Sequence, residues 1–155
     1  MPERVNSAED YPTGKFANRS MARTVAFQVL YQEELNPGSL AILSDDFIAQ
    51  ELPRHEPLHR FARQLLDSTI TYREAIDEQL TALSQNWTLA RMSPTDRSIL
   101  RLAASEILYI GTPKPIAINE AIELAKKFGT KDSPVFINGI LDRIQRPAEG
   151  LEPQP

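Results

Sequence analysis

The sequence predicts an all-α fold, a compact arrangement of about seven helices, and three observations point there. Apolar residues recur at i, i+3, i+4 and i+7 along most of the chain, the period of a helix with one buried face. Pro and Gly mostly fall between these stretches, as punctuation. Runs alternating apolar and polar residues with β-branched enrichment, the mark of a half-buried strand, are missing.

The first helix is expected over 20–34 and ends before Asn36-Pro37-Gly38, with Ala22, Val25, Ala26, Val29 and Leu30 as its buried stripe. A second is expected over 40–50. The stretch 57–84 keeps helical spacing through Leu58, Phe61, Ala62, Leu65 and Leu66, then Ile76, Leu80 and Leu83, with a break expected near Tyr72. Ser93-Pro94-Thr95-Asp96 offers an N-cap, a first-turn proline and an acid at N3, so a helix should run over 93–111 and bury Ile99, Leu100, Leu102, Ala103, Ile107 and Leu108. Over 116–128, Ile118, Ala121, Ile122, Leu124, Ala125 and Phe128 separate from Glu120, Glu123, Lys126 and Lys127. The last helix, 134–145, buries Ile137, Ile140, Leu141 and Ile144. Gly139 inside it costs about 1 kcal/mol relative to alanine, which suggests that another backbone comes close. Between the last two helices lies a polar corner, where Gly129 is expected to take the left-handed C′ conformation and Ser133 to cap the next helix ahead of Pro134.

The domain organisation follows: 1–17, mixed in charge with Pro12 and Gly14, reads as a flexible arm; 18–146 as the helical domain; 147–155 as a flexible Pro-rich tail. With 155 residues, 41% hydrophobic and 25% charged, the chain can bury one core or two small ones without metals or disulfides. It has no cysteine, no apolar run near the ~20 residues that span a bilayer, and no basic-then-apolar leader pattern at its start. A soluble, cytoplasmic protein without membrane contact is expected.

Several chemistries are excluded. His55-Glu56-Pro57-Leu58-His59 matches the H-E-x-x-H zinc pattern literally, but Pro57 pushes Glu56 out of helical geometry and belongs itself in a first turn, so the two imidazoles cannot sit one turn apart on one helix. No third histidine, G-x-S-x-G elbow, phosphate-binding glycine loop or cysteine nucleophile is present. The chain reads as a non-enzyme with no cofactor and no metal.

A net charge of −4 argues against indiscriminate coating of nucleic acid, whose non-specific affinity comes from neutralised phosphates. Yet Lys15, Arg19 and Arg23 lie in a stretch from Tyr11 to Gln32 that holds no acid. Arg23, Phe27 and Tyr31, four residues apart, run along one flank of the first helix. By residue type the two rings read as core edge; the sharper reading is a stacking platform beside a phosphate anchor for single-stranded RNA.

Three segments carry a family resemblance. Arg19-Ser20-Met21-Ala22-Arg23 followed by Gln28-Val29-Leu30-Tyr31, the stretch from Asp96 to Ala103, and Asp132-Ser133-Pro134-Val135-Phe136-Ile137-Asn138-Gly139 resemble the NusB transcription antitermination factors, over roughly 19–146. The resemblance implies two small helical bundles and binding of the single-stranded boxA element of nascent ribosomal RNA, together with the ribosomal protein NusE, in a complex with RNA polymerase. It implies phosphate contacts by Arg19 and Arg23, a base contact by Tyr31, an RNA-facing corner of Asp132 and Phe136 with Ser133 and Asn138, and a NusE-facing Asp96; beside it, Phe27 as a stacking ring and Lys15 as a further cation on the arm are readings from the residues themselves. Ser20 and Met21 stand where many relatives carry further arginines, so the intrinsic RNA grip should be weaker. The site as a whole is then expected to be one patch built from both ends of the polypeptide. The sequence leaves the oligomeric state open, a homodimer included. Two other classes compete: a helical protein-interaction scaffold without RNA binding, and the NusB-like part of an RNA cytosine methyltransferase, which the lack of a catalytic cysteine or cofactor loop after Arg146 argues against.

Overall fold

The computed structural model describes the backbone of residues 15–84 and 87–146 and the side chains from Arg19 onward. The expected arm up to residue 14 and the tail 147–155 lie outside the described residues. Among these, the chain forms seven α-helices and no strand: α1 Lys15–Leu35, α2 Ser39–Glu51, α3 Glu56–Thr71, α4 Arg73–Leu83, α5 Pro94–Ser105, α6 Lys114–Phe128 and α7 Ser133–Leu141. No helix there is long and apolar enough to cross a membrane. The chain divides into two compact units, Met1–Leu66 and Asp67–Pro155.

In the first unit α1 packs on α2, and the expected stripe of Ala22, Val25, Ala26, Val29 and Leu30 is buried. Helix α1 begins at Lys15, five residues before Ser20, because no breaker intervenes after Gly14. Gly38 opens α2 with φ 98°, and the Glu33 carboxylate accepts from the amides of Gly38 and Leu40, satisfying N–H groups that a helix start leaves free. Helix α3 starts at Glu56, so Pro57 lies in its first turn and His55 precedes it; His59 Nε2 is 2.9 Å from the Pro53 carbonyl. The histidines are therefore not paired on one helix.

In the second unit α5 packs on α4, α6 and α7, and α6 on α7. The break between α3 and α4 falls at Tyr72, where it was expected. Ser93 caps α5, its Oγ accepting from the Asp96 amide at 3.1 Å with Pro94 in the first turn. Arg101 donates to both oxygens of Asp77 at 2.8 and 2.9 Å, tying α5 to α4. The helix expected to run unbroken to residue 111 widens instead into a π turn over Glu106–Ile110. The Glu106 carbonyl collects the amides of both Gly111 and Thr112, and Thr112 Oγ1 donates to the buried Glu106 carboxylate at 2.8 Å. Gly111 ends the turn at φ 91°, a conformation that suits glycine.

The final helix ends at Leu141, short of residue 145, and a turn carries Ile144 back into the core. Lys114 Nζ donates to the carbonyls of Asp142 and Ile144 and so ties this turn to the start of α6. Burying Ile137, Ile140, Leu141 and Ile144 is worth about 1.5–3 kcal/mol for each side chain, which fixes which face of α7 points outward.

Candidate nucleic-acid interface

In the first unit the predicted residues separate into surface and core. Arg19 is exposed, and its guanidinium carbon lies 4.2 Å from the centroid of the Phe61 ring on α3. Arg23, one turn on, is only 4% exposed, with its guanidinium carbon 5.2 Å from the same ring. Phe61 thus holds both cations by its π face, yet only Arg19 offers charge to solvent. The burial of Arg23 sets it apart from Arg19, with which it was expected to share the phosphate contacts. Phe27 is likewise buried, so the core-edge reading of that ring holds and it offers no open face to a base. It supports Tyr31 from below, with ring centroids 5.9 Å apart and an interplanar angle of 29°. Tyr31 is half-buried and, among the described side chains of α1, is the ring that a base can reach. Lys15 is the first residue of α1; its side chain lies outside the described residues.

In the second unit the polar corner joins α6 to α7. Gly129 does not adopt the expected left-handed conformation, since its φ is −94°. Its requirement is steric: a Cβ there would lie 2.5 Å from Ser133 Oγ and 2.9 Å from the Ala125 carbonyl oxygen. Ser133, expected to meet RNA, is buried at the first position of α7, where its Oγ accepts from the Thr130 amide at 3.0 Å. It builds the corner. Asp132 precedes it as the N-cap residue but makes no side-chain cap bond, so its exposed carboxylate is available to a ligand. Asn138 is exposed and Phe136 half-buried. Gly139 also departs from expectation: a Cβ there would meet nothing within 4 Å, so no backbone approaches it.

Asp96 is half-buried in the first turn of α5, and its Oδ1 is covered without a hydrogen-bond partner. Among the described residues, no group of three or more His, Cys, Asp and Glu could hold a metal ion.

Comparisons with known proteins decide the family. The NusB family model matches residues 20–146. This chain belongs to the NusB family. It is 43% identical over 127 residues to the transcription antitermination protein NusB of Geobacter sulfurreducens, covering 81% of this chain and 92% of that one. The solved structure of T. maritima NusB superposes with a TM-score of 0.74 at 32% identity, covering 81% and 88%. A chain of the crystal structure of antitermination factors NusB and NusE in complex with dsRNA shares the fold, with a TM-score of 0.74 at 24% identity over 81% and 94%. Family membership makes the protein a transcription antitermination factor rather than an enzyme.

Three further residues were not singled out from the sequence: Trp87, Arg91 and Arg143. Trp87, the single tryptophan, is 44% exposed, and the Arg91 guanidinium carbon lies 5.1 Å from its ring centroid. Arg143 is exposed beyond the end of α7. A lone tryptophan and a helix-weakening glycine were the available signals, and neither fixes a position before the chain is folded.

Proposed function

We propose that this antitermination factor binds single-stranded boxA-type RNA of nascent ribosomal RNA together with the ribosomal protein NusE, in the cytoplasm and as part of a complex with RNA polymerase. The observation that carries the reading is the exposed Arg19 guanidinium held on Phe61 at the start of α1, on the same helix as the half-buried ring of Tyr31. A pre-positioned cation anchors phosphate, and an aromatic ring backed by a second ring offers a stacking face. Asp132 and Asn138 in the second unit add exposed hydrogen-bonding groups. A carboxylate accepts from base amino and imino groups and repels phosphate, so Asp132 suits base readout. The crystallised assembly of NusB, NusE and dsRNA supports both partner classes.

Cation supply on α1 is small, so the free protein binds weakly and NusE contributes contact surface, with Asp96 facing it. Fluorescence anisotropy with a boxA-type strand and a scrambled strand, with and without NusE at two salt concentrations, tests this. A boxA preference that sharpens with NusE is expected, with log K falling by about 0.7 per phosphate contact for each tenfold rise in salt. Equal affinity for both strands in the presence of NusE would refute it. Retained NusE binding with no RNA response would favour a protein-only scaffold, for which the exposed Ile42 and Leu43 of α2 offer an apolar face.

A further inference from the structure

We propose that an open groove beside α7 in the second unit is a nucleobase subsite, in which Trp87 stacks on an unpaired base; this rests on the RNA-binding reading above. The groove encloses about 300 Å³ and is walled by Trp87, Val135, Phe136, Gly139, Ile140 and Arg143. That volume is at the small end of ligand sites. Two aromatic rings line it, one of them an indole that is 44% exposed. Its lining holds a single charge, the Arg143 guanidinium, and no carboxylate. Arg143 Nε donates to the Gly139 carbonyl at 3.0 Å, which fixes the side chain along the groove while the group stays exposed. Arg91 adds a second cation over the Trp87 ring, and neither arginine forms an ion pair among the described residues.

Rings for stacking, with cations beside them and no anion, match a flat π system attached to phosphate. An apolar peptide would gain nothing from the two guanidiniums. Gly139 fits the same account. Its missing side chain satisfies no packing constraint, since a Cβ would meet only open space, yet it weakens the helix. What the glycine leaves is room: it keeps one wall of the groove clear.

Because Trp87 is the only tryptophan, its emission reports the subsite directly. The full chain is titrated with a short single-stranded boxA-type RNA, with and without NusE, while Trp87 fluorescence and the anisotropy of end-labelled RNA are followed together. Quenching of Trp87 that saturates with the anisotropy change is expected. Trp87→Ala should weaken binding on the order of tenfold, with the salt slope retained, and Trp87→Phe should recover most of the loss. Gly139→Leu places a better helix former in the groove, so it should abolish quenching and weaken RNA binding without lowering the melting temperature. That variant keeps the test valid if Trp87→Ala folds poorly.

RNA binding by anisotropy with no change in Trp87 emission, or with Gly139→Leu binding as the parent does, overturns the subsite and leaves the RNA-binding function standing. No anisotropy change with or without NusE overturns both. Trp87 emission that responds to NusE alone makes the groove a protein dock and overturns the subsite as well.

Discussion

Arg19 and Arg23 sit one helical turn apart on the same ring, yet their removal should have different consequences. Arg23 retains 4% of its surface, and its guanidinium carbon lies 5.2 Å from the Phe61 centroid. A desolvated cation–π contact of this kind is worth about 1–2 kcal/mol. The buried methylene stem adds about 1–2 kcal/mol of packing that truncation also removes. Arg23→Ala should therefore destabilise the protein by about 2–4 kcal/mol, which at ~2–4 °C per kcal/mol for a chain of this size lowers the melting temperature by roughly 5–15 °C. Arg19 is exposed and its contact solvated, so Arg19→Ala should cost under about 1 kcal/mol.

RNA binding should show the reverse order. Measured where both variants are folded, Arg19→Ala should reduce the salt slope of RNA binding by about 0.7, the loss of one phosphate contact on a single strand, while Arg23→Ala leaves the slope unchanged. Circular dichroism melts and anisotropy titrations at two salt concentrations supply both readouts. An Arg23→Ala variant that melts with the parent but loses salt slope would place that guanidinium on phosphate and refute the argument.

Three other perturbations follow from the packing. Gly129→Ala puts a Cβ 2.5 Å from Ser133 Oγ and 2.9 Å from a carbonyl oxygen, so a denaturant midpoint should fall by the equivalent of about 1–3 kcal/mol; adding Ser133→Ala relieves only the hydroxyl clash and should recover part. Asp77→Asn weakens both acceptors of Arg101, which is 8% exposed, and should cost about 1–3 kcal/mol in thermal unfolding. Burial, and then the neighbouring Tyr72, raise the Tyr109 pKa above its ordinary 10.0, so the folded state favours the neutral phenol. That contribution is complete below the unfolded pKa and is lost as pH rises through the raised folded value. Tyr109→Phe should flatten the alkaline fall in melting temperature and cost little at neutral pH, because the phenol oxygen is covered without a partner.

Period and punctuation carried most of the fold. The buried stripes of α1 and α3 to α7 were largely legible because a helix repeats its inward face at a fixed angle, and the α3–α4 break fell at Tyr72 as expected. The π turn at Glu106 was not legible, since it depends on a buried carboxylate meeting Thr112 six residues on. The burial of Arg23 had a signal that its residue type obscured: Arg23, Ala26, Phe27 and Leu30 share the i, i+3, i+4, i+7 face, and all four are buried. A long side chain can lay its stem in a core when a ring receives its charge, and Phe61, supplied by another helix, is invisible to any local pattern.

The corner between α6 and α7 shows why a motif read as a binding site divides once it is folded. Gly129 and Ser133 require each other: the serine hydroxyl returns to the Thr130 amide through the space that a Cβ at 129 would fill. That pair sets where α7 starts, and the burial of Ile137, Ile140 and Leu141 sets its rotation. With start and rotation fixed, Asp132, Val135, Asn138 and Gly139 face outward without a packing role of their own. The same short string thus contains the residues that build the presenting surface and those that it presents. Changing Ser133 should therefore alter ligand binding only by moving Asp132, whereas changing Asp132 should alter binding with the melting temperature held.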